Sequence, residues 1–386
     1  MRRPLNIAFL IFVGLGLHDG LLGVAWPSMR DTFGVSLDSV GLILLGITLG
    51  FGLSSAVSGW FLGRIGVGRL LLLGAGLRAV GLLAVALVPV WWGVIAASLL
   101  AGLGGGGIDA GLNTYVATNH RASHMNWLHA CYGIGTTVAP LIVTALLVAG
   151  RAWQWGYVVI GAYQAAMVIV LLVTLSNWRL RSSSDEAGEE PVVVARGVDT
   201  FRLPLVWLGV TVFFFITGTE IAAGQWVYTL FTESRAIAVS AAGLWVSIYW
   251  GSFTLGRILV GFAADHVRPD FLLRAAMVGN VAGAALLWWN PANGVGFAGL
   301  ALMGFALAPL YPSLMSLTPE RLGAGHAANA IGLQGAGGAL GGAGLPALAG
   351  VLAVSVGLEV VGPYLLAASV LLLALHEAVV AFSPQR

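Results

Sequence analysis

Apolar residues run along this chain in blocks of about 20 or more, each long enough to cross a hydrocarbon core as an α-helix. Twelve such blocks stand at roughly 5–29, 37–62, 69–89, 91–116, 123–149, 153–178, 204–232, 238–263, 270–290, 292–317, 323–353 and 357–382. The connections between them are mostly short and hold the turn residues. The exception is 179–203, where Ser182, Ser183, Ser184, Asp185, Glu186, Glu189 and Glu190 make a polar, flexible linker. The linker separates residues 1–178 from residues 204–386, six blocks on each side. The expected fold is an all-α membrane protein of twelve transmembrane helices in two six-helix pseudo-symmetric bundles. The first block is too long for a signal peptide and no small-residue cleavage site follows it, so it is read as a span.

The two halves look like parallel repeats. Asp19 and Glu220 are 201 residues apart, Gly59 and Gly261 are 202 apart, as are Gly102 and Gly304, and Asn126 and Asn329 are 203 apart. Two such halves around a cavity at the bilayer midplane are the layout of many secondary transporters.

Composition sharpens this picture. The chain of 386 residues is 58% hydrophobic and only 9% charged, with 55 Gly and 14 Trp; soluble domains carry about 25% charged residues. A soluble enzyme, a disordered tail and a disulfide scaffold are excluded, the last because Cys131 is the single cysteine. The net charge is +2 and no basic cluster tracks phosphates, so nucleic acid is not an expected partner. All 18 basic residues are Arg. With the N-terminus cytoplasmic, thirteen of them fall on inner segments and three (Arg30, Arg151, Arg235) on outer ones. This positive-inside bias puts both termini and the linker in the cytoplasm of a bacterial inner membrane. A monomer is expected. No nucleophile–base pair, metal-ligand cluster or cofactor motif stands out, so no enzyme activity and no cofactor are expected. The run Gly104–Gly107 follows no strand and lacks a P-loop Lys. It is read as close helix packing.

Ionisable side chains inside spans need partners, a wet cavity or a function. Counted from the inner ends of their spans, Asp19 lies about 21 Å deep, Glu220 about 24 Å, Asp109 about 18 Å and Arg78 about 13 Å. These depths cluster near the midplane. Desolvation favours the neutral carboxylic acid and a nearby Arg the carboxylate, so such acids can load and release a proton. One arginine, Arg78, serves two acids of the first half. Asp19, Asp109 and Glu220 are therefore the candidates for proton coupling. Asp109 and Asn113 share a helix face at i,i+4. His18, Asn126, His129, Gln225, Asn329 and Gln334 add polar groups, and Trp226 and Tyr249 add aromatic faces. Amides, acids and an aromatic together suit the hydroxyls and ring face of a sugar. Each residue also has a structural reading: Asp19 or Asp109 as partner of Arg78, Glu220 as a helix–helix hydrogen bond, and the two histidines as packing.

The segment Gly59-Trp-Phe-Leu-Gly63-Arg64-Ile-Gly66-Val-Gly68-Arg69 and its counterpart Gly261-Phe-Ala-Ala-Asp265-His266-Val-Arg268 resemble the Gly-x-x-x-Asp-Arg/Lys loop of the major facilitator superfamily. That resemblance implies a cytoplasmic latch made by Arg64, Arg69, Arg257 and Asp265, with Gly63 standing where the first copy needs Asp. Within this superfamily the chain resembles the fucose permease-like branch, the fucose–galactose–glucose:proton symporters. The resemblance is carried by Leu17-His18-Asp19, by Gly106-Gly107-Ile-Asp109-Ala-Gly-Leu-Asn113 and by Asn126-Trp-Leu-His129-Ala-Cys-Tyr-Gly133. In the second half, Gly218-Thr-Glu220-Ile-Ala-Ala-Gly224-Gln225-Trp226, Gly256-Arg257-Ile-Leu-Val-Gly261 and Tyr311-Pro312-Ser313 continue it. It implies that Asp19 and Asp109 take part in proton-linked sugar recognition, with Asp109 a shorter acid than the Glu usual there.

The resulting expectation is proton-coupled symport of a small polar solute, most readily a monosaccharide, by alternating access. The alternative is a proton-driven efflux antiporter for amphipathic compounds, which Gly135 and Ala139-Pro140 faintly suggest. Expected partners are the solute, protons and the lipid bilayer.

Overall fold

The computed structural model describes residues 2–120, 122–178, 197–263 and 267–382. Among them every regular element is a helix, as apolar chain in lipid requires, because a helix satisfies its own backbone hydrogen bonds. Among the described residues nine helices are long and apolar enough to cross a membrane, or ten when the bent pair Pro4–Asp19 and Leu22–Phe33 counts as one span. Large apolar side chains such as Leu53, Val173 and Leu340 are exposed on the helices' outer faces. In water such a surface would be a liability; in a membrane protein it faces acyl chains.

The chain divides into two compact units, Met1–Ser182 with Val227–Gly251, and Ser183–Trp226 with Ser252–Arg386. The first unit thus includes a stretch of the second sequence half.

In the first unit, α1 (Arg2–Asp19) and α2 (Leu22–Phe33) form a span bent by 44°. The sequence reading took 5–29 as one unbroken block. The helix gives way at Gly20, where the hydrogen-bond ladder slips: Gly20 N–H still reaches the carbonyl of Gly16, but Leu21 N–H reaches that of His18. Two further blocks, 37–62 and 69–89, are joined without a loop as α3 (Val40–Leu87). One residue breaks it, Gly66, with φ 78° and ψ 164°, a conformation that only glycine adopts freely. The expected latch loop is therefore helix on both sides of a one-residue joint. Next come α4 (Trp91–Asn119), α5 (Ala122–Val148) and α6 (Gln154–Thr174). Helix α1 packs on α5, and α3 packs on α4 and α6. Near the C-terminal end of α2, Arg30 donates to Asp31 Oδ1 and to Glu233 Oε2, each at 2.9 Å.

The second unit contains α7 (Gly197–Phe201), most of α8 (Pro204–Thr229), the inner part of α9 (Val239–Ala263), α10 (Pro269–Trp289) and α11 (Asn293–Leu307). It continues through α12 (Leu310–Ser316), α13 (Thr318–Leu322), α14 (Ala324–Val356) and α15 (Val361–Phe382). Helix α10 packs on α11 and α15, and buried Asn280 of α10 donates to Ser369 Oγ of α15 at 2.9 Å. In an apolar interior such a bond stitches two spans together.

The closest helix approach in the first unit follows from glycine. A methyl group added at Gly135 of α5 would strike the backbone of Val13 and Leu17 in α1, while one at Gly76 of α3 would meet nothing within 4 Å. Backbone cannot rotate aside as a side chain can. Gly135→Ala should therefore destabilise the purified protein by about 1–3 kcal/mol, whereas Gly76→Ala should be neutral or stabilise it by up to about 1 kcal/mol. Thermal and chemical unfolding in detergent measure the contrast.

Candidate functional site

The approach of α1 to α5 sets the site. Gly16 meets the backbone of Tyr132 and Thr136, and Gly20 meets that of Thr136. Tyr132 is thereby brought alongside Asp19, the last residue of α1. Its hydroxyl donates to Asp19 Oδ2 at 2.8 Å. The other oxygen, Oδ1, receives His18 Nδ1 at 2.8 Å and Arg78 Nη2 at 3.4 Å. Three helices, α1, α3 and α5, thus converge on one carboxylate.

Arg78 is almost wholly buried, its side chain 3% exposed, while the Asp19 side chain keeps 33% of its surface open. The guanidinium also donates through Nη2 to the Leu15 carbonyl at 3.0 Å and through Nη1 to the Ala101 carbonyl at 3.5 Å. Only the first is a hydrogen bond of ordinary length. Asp109, on α4, lies within electrostatic reach of both Asp19 and Arg78 and interacts with the Asn113 amide one turn on. The amide oxygen of Asn113 has no hydrogen-bond partner among the described residues. Asp19, Asp109, Asn113 and His18 therefore belong to one neighbourhood. Arg78 joins them as the shared cation.

Tyr132 was not singled out from sequence. The signal was present: Tyr132, Gly135 and Ala139 recur at helical spacing on the face of α5 that packs on α1. His129, expected among the polar groups, has its ring edge-on to Phe12 at 5.5 Å.

The other expected residues distribute as follows. Glu220 is buried within α8. Gln225 of the same helix is also buried, and its Nε2 has no partner among the described residues. Trp226 is fully buried and spends its indole N–H on the Pro346 carbonyl of α14 at 2.8 Å. Tyr249 is buried with its ring 5.0 Å from that of Trp250. Gln334 Oε1 accepts from Thr318 Oγ1 at 2.9 Å, and Asn329 Nδ2 donates to Thr200 of α7 at 3.3 Å. Of the expected latch, Arg64 and Arg69 are exposed. Arg64 lies over the Trp60 ring at 3.9 Å, and Arg257 over the Phe253 ring at 4.3 Å. Asp265 and the Asn126 side chain lie outside the described residues.

Comparison with known proteins agrees with this architecture. A profile described as Major Facilitator Superfamily matches residues 8–343. Human sodium-dependent glucose transporter 1 is 25% identical over 346 residues, covering 79% of this chain and 65% of its own length. The crystal structure of the E. coli fucose:proton symporter FucP aligns with a TM-score of 0.67 and 13% identity, covering 99% of both chains. That of the nucleoside transporter NupG aligns with a TM-score of 0.78 and 15% identity, covering 97% of this chain and 98% of its own.

The geometry makes Arg78 and Asp19 interdependent. Removing one partner of a buried pair leaves the other uncompensated, at a cost of about 3–5 kcal/mol; partial exposure of Asp19 places this pair at the low end. Arg78→Met should lower stability by about 3 kcal/mol, and Asp19→Asn in the same chain should restore most of it. A double-mutant cycle of denaturation midpoints in detergent checks this.

Proposed function

Because this chain belongs to the Major Facilitator Superfamily, we propose that it is a secondary transporter that carries a monosaccharide together with protons by alternating access. The multi-pass helical fold is that of a membrane transporter; the solute, the coupling ion and the cycle are the proposal. The proposal counts twelve spans: the ten above, one more for the pair joined at Gly66, and the 25-residue helix α9. They are grouped as two six-helix bundles over 1–178 and 204–386, with both termini and the linker cytoplasmic in a bacterial inner membrane.

One observation carries the reading. Two carboxyl groups on different helices, Asp19 and Asp109, lie in the field of one buried guanidinium, which bonds directly to Asp19. A single cation fully neutralises one carboxylate, so the second acid is the natural place to hold a proton. Asn113 beside Asp109 offers an unpartnered amide oxygen to a solute hydroxyl. A solute that bonds Asn113 and the neighbouring acid thus touches the group that exchanges the proton, and binding and protonation become linked. His18 acts in this proposal by holding Asp19. His129 and Asn126 of α5, with Tyr249, complete the proposed solute contacts of the first unit, and Glu220 and Gln225 are the proposed acid and amide of the second. Trp226, Asn329 and Gln334 are assigned to holding helices, in keeping with their bonds to Pro346, Thr200 and Thr318. Arg64, Arg69, Arg257 and Asp265 are proposed to act at the cytoplasmic ends of their spans. The human relative's name favours a glucose-type solute and raises sodium as the rival ion.

Uptake of labelled D-glucose into proteoliposomes tests the proposal. An inward proton gradient should accelerate uptake several-fold and an inward sodium gradient should not. Asp109→Asn should abolish the response to the proton gradient while retaining glucose exchange across the membrane. Gradient-independent uptake, or uptake driven by sodium alone, would overturn proton coupling. Proton-driven export of a lipophilic cation without sugar transport would favour the antiporter.

A further inference from the structure

The geometry points to Gly105 as a positioning residue: its missing side chain is the space that the guanidinium of Arg78, the partner of Asp19, occupies one turn before Asp109. This rests on the reading above that those two acids carry the coupling, and it identifies what places their shared cation.

The four consecutive glycines of α4 are not equivalent. A methyl at Gly104 would strike the backbone of Gly74 and of Arg78 itself, and one at Gly106 the backbone carbonyl of Phe51. These two are packing glycines, because the obstacle is main chain of α3. At Gly107 the nearest atom is Ser54 Oγ at 3.2 Å. Gly105 differs from all three. Its methyl would collide with one atom, Arg78 Nη1; the next nearest atoms, Arg78 Cζ at 3.4 Å and Phe51 Cδ2 at 3.6 Å, are at ordinary contact distance. Packing of α3 on α4 therefore does not require glycine at 105. The charged head group does.

The position on the helix gives that space its meaning. Gly105, Asp109 and Asn113 follow one another at i,i+4 and so share a face of α4. The guanidinium thus lies against the turn immediately before Asp109. Of its own bonds only the one to the Leu15 carbonyl, at 3.0 Å, is of ordinary length: the contacts to Asp19 and the Ala101 carbonyl measure 3.4 and 3.5 Å, and Nε has no partner among the described residues. Where long bonds leave a charge underdetermined, the shape of its bed decides where it rests. Asp109 faces Asn113 of its own helix, Asp19 of α1 and Arg78 of α3, and Asp19 faces His18 and Tyr132 in turn. Filling the bed at Gly105 displaces the one cation in this set and leaves every acid, amide and hydroxyl in place.

Infrared difference spectroscopy of the full chain in lipid, titrated with pH, follows the carboxyl band that Asp109→Asn removes. Gly105→Ala should fold, keep more of its stability than Gly106→Ala, and shift the midpoint of that band by about one pH unit, a tenfold change in proton affinity. In an Arg78→Lys background, where no forked head reaches the bed, adding Gly105→Ala should leave the midpoint where Arg78→Lys alone puts it. Gly106→Ala serves as the packing control and should lose stability. A Gly105→Ala protein that fails to fold, that keeps the wild-type midpoint, or that shifts it equally in both backgrounds would overturn the inference and leave proton coupling by Asp109 standing. If no titrating band depends on Asp109, the coupling role falls first and this inference with it.

Discussion

A guanidinium buried among membrane helices has to be answered by the protein, since desolvating a charge is costly unless fixed partners replace its water. Arg78 draws those partners from three directions: a carboxylate and a carbonyl of α1, a carbonyl of α4, and the space left by α4's glycines. Satisfying it fixes how α1, α3 and α4 lie together, and Tyr132 ties α5 to the same carboxylate. Much of the order in the first unit follows from that single requirement. The small residues along α1, α4 and α5 follow from it as well, because side chains of normal size would hold these backbones too far apart for the bonds to form.

Helix existence was legible in the chain because lipid demands long apolar runs. Helix interruption was less so. The stretch from Gly63 to Arg69 reads as a loop because glycine and arginine punctuate it, yet the chain remains helical on both sides of Gly66. One residue with a positive φ makes a joint that leaves no polar loop to betray it. The bend between α1 and α2 was hidden for a related reason. The ladder slips by one carbonyl at Leu21 while the surrounding residues stay apolar, so hydropathy carries no trace of it.

The acids of the site were legible for the opposite reason: a carboxyl deep in an apolar span is conspicuous, and an amide one turn away sharpens it. Polar residues with a quieter task looked the same from sequence. Gln334 and Asn329 find Thr318 and Thr200, and Trp226 finds the carbonyl of Pro346. Each partner is remote in the chain or reads as part of a connection, so no local pattern announces the bond. Tyr132 went unnoticed because it sits on the face of α5 that small residues mark as packing, where a hydroxyl was not sought.

The C-terminal end of α2 holds a different kind of contact. Arg30 meets Glu233, but it also keeps Asp31, its neighbour in sequence, at the same 2.9 Å. Loss of either acid would still leave the guanidinium a partner. A partly exposed pair of this kind adds little to stability, so the arginine is insured against the breaking of its long-range bond rather than dependent on it.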